Sequence, residues 1–118
     1  MSGMFSSIFG NKISPINLDS ASFEQKISED AEAVLLDVRT PMENRESRIP
    51  NSQLIDISSP SFITQIESLD KTKSYYVYCR SGNRSHHAGV AMMKMGFENV
   101  YNLAPGIIGW QGKVESER

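Results

Sequence analysis

The chain has 118 residues, a single cysteine and a formal net charge of −2, which fits one domain of the commonest size with room for a hydrophobic core. The near-neutral charge, with no basic stripe interleaved with aromatics, gives no support for nucleic-acid binding. One cysteine rules out an intrachain disulfide, and a lone reactive thiol suits a reducing cytoplasm.

Residues 1–12 read as an N-terminal extension. Phe5, Ile8 and Phe9 have i, i+3, i+4 spacing, as in a short docked helical turn or a frayed tail. No positive residue precedes Lys12 and no long apolar run is present, so the segment reads as neither signal peptide nor membrane span. Gly3 is not at the position that myristoylation needs. Residues 13–112 read as the folded domain and 113–118 as a C-terminal tail.

Pro15-Ile16-Asn17-Leu18 reads as a short edge strand, where proline is tolerated. Residues 19–28 read as a helix, with Asp19 or Ser20 as N-cap and Phe23 and Ile27 facing inward. Ala33-Val34-Leu35-Leu36-Asp37-Val38 is a continuous apolar run of the buried parallel-strand kind. Thr40 and Pro41 start a short helix as N-cap and first helical residue. Ile49-Pro50-Asn51-Ser52 reads as a turn, followed by a strand at 54–57. A helix over 59–69 places Phe62, Ile63, Ile66 and Leu69 inward. Tyr75-Tyr76-Val77-Tyr78 reads as a buried strand. A helix over 85–95 ends at Gly96, a last strand includes Val100 and Tyr101, and residues 107–111 close the domain with Trp110 as anchor. No internal repeat or linker interrupts the series. This alternation predicts an α/β domain whose mostly parallel central sheet is flanked by helices on both faces.

Cys79 sits between the Tyr75–Tyr78 run and the following helix. In such sheets ligands bind beyond the carboxyl ends of the strands. A helix N-terminus offers unpaired N–H groups and partial positive charge, Arg80 and Arg84 add full charges, and Gly82 permits a tight turn. Together these favour thiolate, the nucleophilic form. The alternative for a lone cysteine is a buried packing residue, but two arginines, a glycine, an asparagine and two serines make a poor apolar nest.

The motifs Leu36-Asp37-Val38-Arg39-Thr40-Pro41 with Glu43, Ile49-Pro50-Asn51-Ser52, and Val77-Tyr78-Cys79-Arg80-Ser81-Gly82-Asn83-Arg84-Ser85 resemble the rhodanese domain family. Gly96-Phe97, Val100-Tyr101-Asn102-Leu103, Gly106 and Trp110 extend the resemblance over residues 13–112. It implies a rhodanese-like sulfurtransferase in which Cys79 takes a sulfane sulfur from thiosulfate or another persulfide donor. The resulting persulfide passes sulfur to a thiol, possibly on a protein, or to cyanide. Arg80, Ser81, Gly82, Asn83, Arg84 and Ser85 would then form the substrate-binding loop, with Asp37 and Arg39 as its support. No metal and no organic cofactor is implied. Two departures stand out: Ser47-Arg48 replaces the usual Gly-His, and Pro105-Gly106 replaces Gly-Gly. Arg48 reads as a solvated side chain or as added charge at the mouth, and Pro105 as a stiffer turn.

Glu43 reads as a partner for Arg39 or as a solvated carboxylate. His86 and His87 adjoin the loop, but neighbours on a helix do not share a face, so neither a general base nor a metal pair is expected. Met92, Met93 and Met95 read as packing residues. Two other functions remain open. One is a persulfide carrier or binding module with little small-molecule turnover. The other is a phosphatase or arsenate reductase. Those enzymes use a loop one residue longer, and this loop carries no acidic residue for proton donation.

Overall fold

Apolar runs of strand length alternate with amphipathic segments along this chain, and the computed structural model, which describes residues 13–117, assembles them into one sheet with helices on both sides. The expectations for residues 1–12 and for residue 118 lie outside the described residues. The elements are β1 (Ile16–Leu18), α1 (Ser20–Ser28), β2 (Val34–Asp37), α2 (Pro41–Glu46), β3 (Gln53–Leu54), α3 (Phe62–Glu67), β4 (Ser74–Tyr78), α4 (Asn83–Lys94) and β5 (Asn99–Leu103), then a 3-10 turn, Ile107–Gly109. The sheet has five strands in the order β1-β5-β4-β2-β3, and every pairing is parallel.

β4 lies in the middle, with Leu36 opposite Val77 on one side and Val77 opposite Asn102 on the other. Its period of two divides the core. Tyr75, Val77 and Cys79 face a cluster with Phe62 and Ile66 of α3 and Ala88 and Met92 of α4. Tyr76 and Tyr78 face the opposite cluster, with Phe23 of α1, Leu35 and Leu103. Trp110 closes that side edge-on to Phe23, with ring centroids 6.0 Å apart.

The helix ends follow local chemistry. Asp19 is the N-cap of α1 and accepts the Ser22 N–H at 2.8 Å. Thr40, Pro41 and Glu43 form a capping box at the start of α2. Met95 caps α4, and Gly96 follows with φ of 103°.

Three expectations are corrected. The third helix runs from Phe62 to Glu67 rather than over 59–69. Pro60 disfavours a helical Ser59, and the Asp56–Ser61 stretch makes turns instead, with Ser59 N–H on the Asp56 carbonyl and Ser61 N–H on Ser59 Oγ. Ile63 points to solvent, 48% exposed, because Phe62 and Ile66, at i and i+4, set the buried face and Ile63 lies off it. The third strand is Gln53–Leu54 rather than 54–57. Beyond it the chain follows the edge of β2 less regularly, with Ile55 N–H on Asp37 and Ile57 N–H on Val38.

Gly106 packs its backbone directly against the cysteine loop. Its φ is 71°, and a Cβ there would lie 2.1 Å from the Arg80 carbonyl oxygen. That contact lets Ile107 and Ile108 donate to the carbonyls of Cys79 and Arg80, at 2.9 and 3.2 Å. Gly106→Ala therefore combines left-handed strain with a backbone clash and is expected to cost more than about 1 kcal/mol, read as a lower urea midpoint with an unchanged slope. An unaltered midpoint would show that the 3-10 turn moves freely from the loop.

Candidate active site

β4 delivers Cys79 to the carboxyl edge of the sheet, and Gly82 reverses the chain there. Gly82 has φ of 95° and is the N-cap of α4, so the helix begins at Asn83, earlier than residue 85. A Cβ at Gly82 would meet the Ala104 carbonyl oxygen at 2.1 Å, so only glycine fits both the turn and the approach. The loop thus curls around its own first residue.

The thiol is 1% exposed. Sγ accepts the Gly82 N–H at 3.2 Å and the Ser85 hydroxyl at 3.4 Å. Burial pushes the Cys79 thiol up, but the Ser85 hydroxyl and the N–H groups of Ser85, Ser81 and Gly82 outweigh it, and the thiol lies below its ordinary range. The largest stabilising contributions come from helix-start donors, and Arg84 lies close enough for its charge to interact with the thiolate as well. Ser85 has one hydroxyl hydrogen and a closer acceptor, Asn102 Oδ1 at 2.5 Å. The backbone amides are therefore the constant part of the cradle.

Asn102 is a functional-site residue that sequence reasoning misses. From β5 its amide donates to Asn17 Oδ1 at 3.0 Å and to the Gly82 carbonyl at 3.2 Å, tying the loop to two strands. The available signal is a buried polar residue in an otherwise apolar strand end.

Asp37 and Arg39 lie beneath the neighbouring strand end rather than at the sulfur. Asp37 is fully buried. Its Oδ1 accepts from Arg39 N and Nε at 3.0 and 2.9 Å. Its Oδ2 accepts from Arg39 Nη2 at 2.7 Å, Asn44 Nδ2 at 2.9 Å and the Tyr78 hydroxyl at 3.0 Å. Tyr78 in turn accepts the Ile49 N–H at 3.0 Å. Burial and the Asp37 charge push Tyr78 up to about 12, so it stays a neutral donor. Tyr78 immediately precedes Cys79, so this network fixes the strand end that carries the thiol.

Arg84 and Glu43 are brought together across the site, which corrects the pairing of Glu43 with Arg39. Arg84 Nη1 and Nη2 each donate to one Glu43 carboxylate oxygen at 2.9 Å. Asp37, two residues from Arg39, already holds that guanidinium, which leaves Glu43 for the helix opposite. The Arg84 hydrogen bond, opposed by burial and reinforced by the Thr40 N–H, holds Glu43 down at about 2. Arg80 is exposed.

A cleft of about 430 Å³ opens beside the loop, lined among others by Arg39, Glu43, Glu46, Arg80, Trp110 and Val114. The C-terminal tail forms one wall. Arg48 is not a solvated side chain: its Nε meets Glu115 at 2.9 Å and its Nη1 meets Glu117 at 3.0 Å, and the backbones of Arg48 and Glu115 form an antiparallel bridge. Asn83 is exposed at the start of α4. His86 and His87 pack edge-on against each other, centroids 5.7 Å apart, and neither is bonded to Sγ. Among the described residues no three His, Cys, Asp or Glu side chains cluster as metal ligands, and no helix is long and apolar enough to cross a membrane.

Comparison with known proteins matches residues 20–113 to the rhodanese-like domain. A protein of Allochromatium vinosum named sulfurtransferase is 32% identical over 79% of this chain and 85% of its own. The Bacillus subtilis protein YrkF is 34% identical over 96% of this chain, which spans 59% of that protein's length. Among solved structures, a rhodanese-related protein of Thermoplasma volcanium superposes with a TM-score of 0.71 at 29% identity, covering 85% of this chain and 97% of that one. A rhodanese-like domain protein of Staphylococcus aureus, at 24% identity, shares the fold with a TM-score of 0.73 over 87% of this chain and 99% of its own. With its cysteine loop, its parallel sheet and a match that spans most of its length, this chain belongs to the rhodanese-like domain family.

Proposed function

We propose that the chain is a sulfurtransferase that moves a sulfane sulfur through a persulfide on Cys79. The observation that carries this reading is the buried thiol held below its ordinary range by the Ser85 hydroxyl and a ring of backbone N–H groups. The name of the Allochromatium relative supports it, as does that of YrkF, which is provisionally called a sulfur carrier protein.

In the first half-reaction the Cys79 thiolate attacks the outer sulfur of the donor. With thiosulfate the S–S bond breaks, sulfite leaves and Cys79–S–S⁻ remains. In the second, an acceptor thiolate or cyanide attacks that outer sulfur, and Cys79 departs as thiolate. Charge and atoms balance in both halves without an oxidant, and the covalent intermediate gives ping-pong kinetics. The N–H groups of Ser81, Gly82 and Ser85 act on the Cys79 sulfur, and helix-start donors of this kind would also stabilise an anionic outer sulfur. Exposed Arg80 is positioned to meet a donor at the mouth. A compartment that keeps one thiol reduced, such as the cytoplasm, suits this cycle. A persulfide carrier with little small-molecule turnover shares the first half-reaction.

Intact-protein mass spectrometry after thiosulfate is expected to show a gain of about one sulfur mass, removed by cyanide and absent from Cys79→Ser. Full transfer by folded Cys79→Ser would sink the mechanism. The depressed thiol also predicts that alkylation of Cys79 reaches its plateau at lower pH than alkylation of a free cysteine, because the thiolate fraction rises through a lower pKa. Ser85→Ala is expected to move that profile upward, and a profile at the free-cysteine position in the wild type would remove the cradle's role.

A further inference from the structure

The charged side chains around the mouth are largely spent on one another. Arg39 is 4% exposed and committed to Asp37 and the Ser47 carbonyl. Arg84, close enough to Cys79 for the two charges to interact, is committed through both terminal nitrogens to Glu43. That leaves exposed Arg80 against the Glu46 carboxylate, with Ile107, Ile108, Trp110 and Val114 as apolar lining. Ile108 and Val114 are 62% and 52% exposed. A dianion entering this mouth exchanges water for one exposed guanidinium and two carboxylates. A persulfide borne on carbon brings less charge, and its carrier can cover the apolar rim.

Building on the sulfurtransferase reading, we propose that Glu43 is a specificity-determining residue: by occupying Arg84 it turns the loop away from inorganic thiosulfate and toward organic hydropersulfides, R–S–SH. Glu43 acts through Arg84 and is a positioning residue. Its carboxylate stays ionised throughout the neutral range, held at about 2, so the pairing is not relaxed by ordinary changes of pH. In the preferred step the Cys79 thiolate attacks the outer sulfur of R–S–SH. The R–S to S bond breaks, R–S⁻ departs, and Cys79 carries –S–SH with its proton. No oxidant or reductant is consumed.

The test compares the rates at which Cys79 gains sulfur, read by intact mass, from thiosulfate and from the hydropersulfide of N-acetylcysteine methyl ester, whose carrier is uncharged. The ratio of the two rates cancels the reactivity of the Cys79 thiolate, and its change between variants cancels the intrinsic reactivity of each donor. Glu43→Gln keeps an acceptor for the Thr40 N–H and frees Arg84. It is expected to shift the ratio toward thiosulfate by roughly tenfold, a gain that added salt reduces. Arg84→Gln leaves Glu43 uncompensated and shifts the ratio the other way, and the double variant returns near the wild type. An unchanged ratio in either folded single variant, or a gain that persists in the double variant, overturns the role of Glu43 while leaving sulfur transfer intact. Failure of both donors to load the wild-type protein overturns the sulfurtransferase reading and this one with it.

Discussion

A carboxylate without solvent must be met by donors, and Asp37 is the point from which the site is organised. Leaving such a charge unpaired in the interior costs several kcal/mol, so its partners are not free to drift. Arg39 wraps back onto it, Tyr78 reaches it from the adjacent strand, and Asn44 reaches it from α2. Asn44 adjoins Glu43, so the contact that satisfies Asp37 also places α2. Glu43 is thereby set opposite Arg84 at the start of α4. The thiol lies between these ties, fixed through Tyr78 behind it and Arg84 ahead of it.

The lowered pKa of the Cys79 thiol results from two opposed effects of one location. Burial against Val77, Ala88 and Met92 disfavours a charged sulfur. The same geometry turns the first N–H groups of α4 inward, where no carbonyl of the helix itself can use them. The Asn102 amide, held by Asn17 and the Gly82 carbonyl, keeps the loop closed so that these donors stay aimed at Sγ. The site is a preformed cradle, so little rearrangement is needed when charge appears on the sulfur.

Much of this was readable from the chain. The run from Tyr75 to Tyr78, the loop and the amphipathic segment after it place Cys79 at a strand–helix junction by local pattern alone, and parallel-sheet architecture puts that junction at the ligand edge. Thr40, Pro41 and Asp19 mark their helix starts through capping chemistry that acts within a few residues. What escaped depends on tertiary approach. Glu43 and Arg84 are 41 positions apart, and only the packing of α2 beside α4 decides their pairing. The link from Arg48 to Glu115 spans 67 positions and joins a turn to a tail that has no periodic pattern. Asn102 looks like any polar residue late in a strand until Ser85 is seen against it. Ile63 follows the helical spacing of its neighbours and still faces water, because Phe62 and Ile66, one turn apart, set the buried face and Ile63 lies about 100° round the helix from Phe62.

Every tie that shapes the thiol's surroundings from the far side comes from later in the chain than Cys79: Ser85, Asn102, Gly106, Ile107 and Ile108. During synthesis, a chain that has emerged only as far as β4 holds an ordinary cysteine in a floppy segment, without the donors that make it acidic. The donors next to the sulfur are local, from Ser81, Gly82 and Ser85, but they are held in place only once β5 brings Asn102 to the Gly82 carbonyl and the 3-10 turn meets Cys79 and Arg80. The lowered pKa of this one side chain is thus a property of the closed sheet and not of the loop sequence by itself.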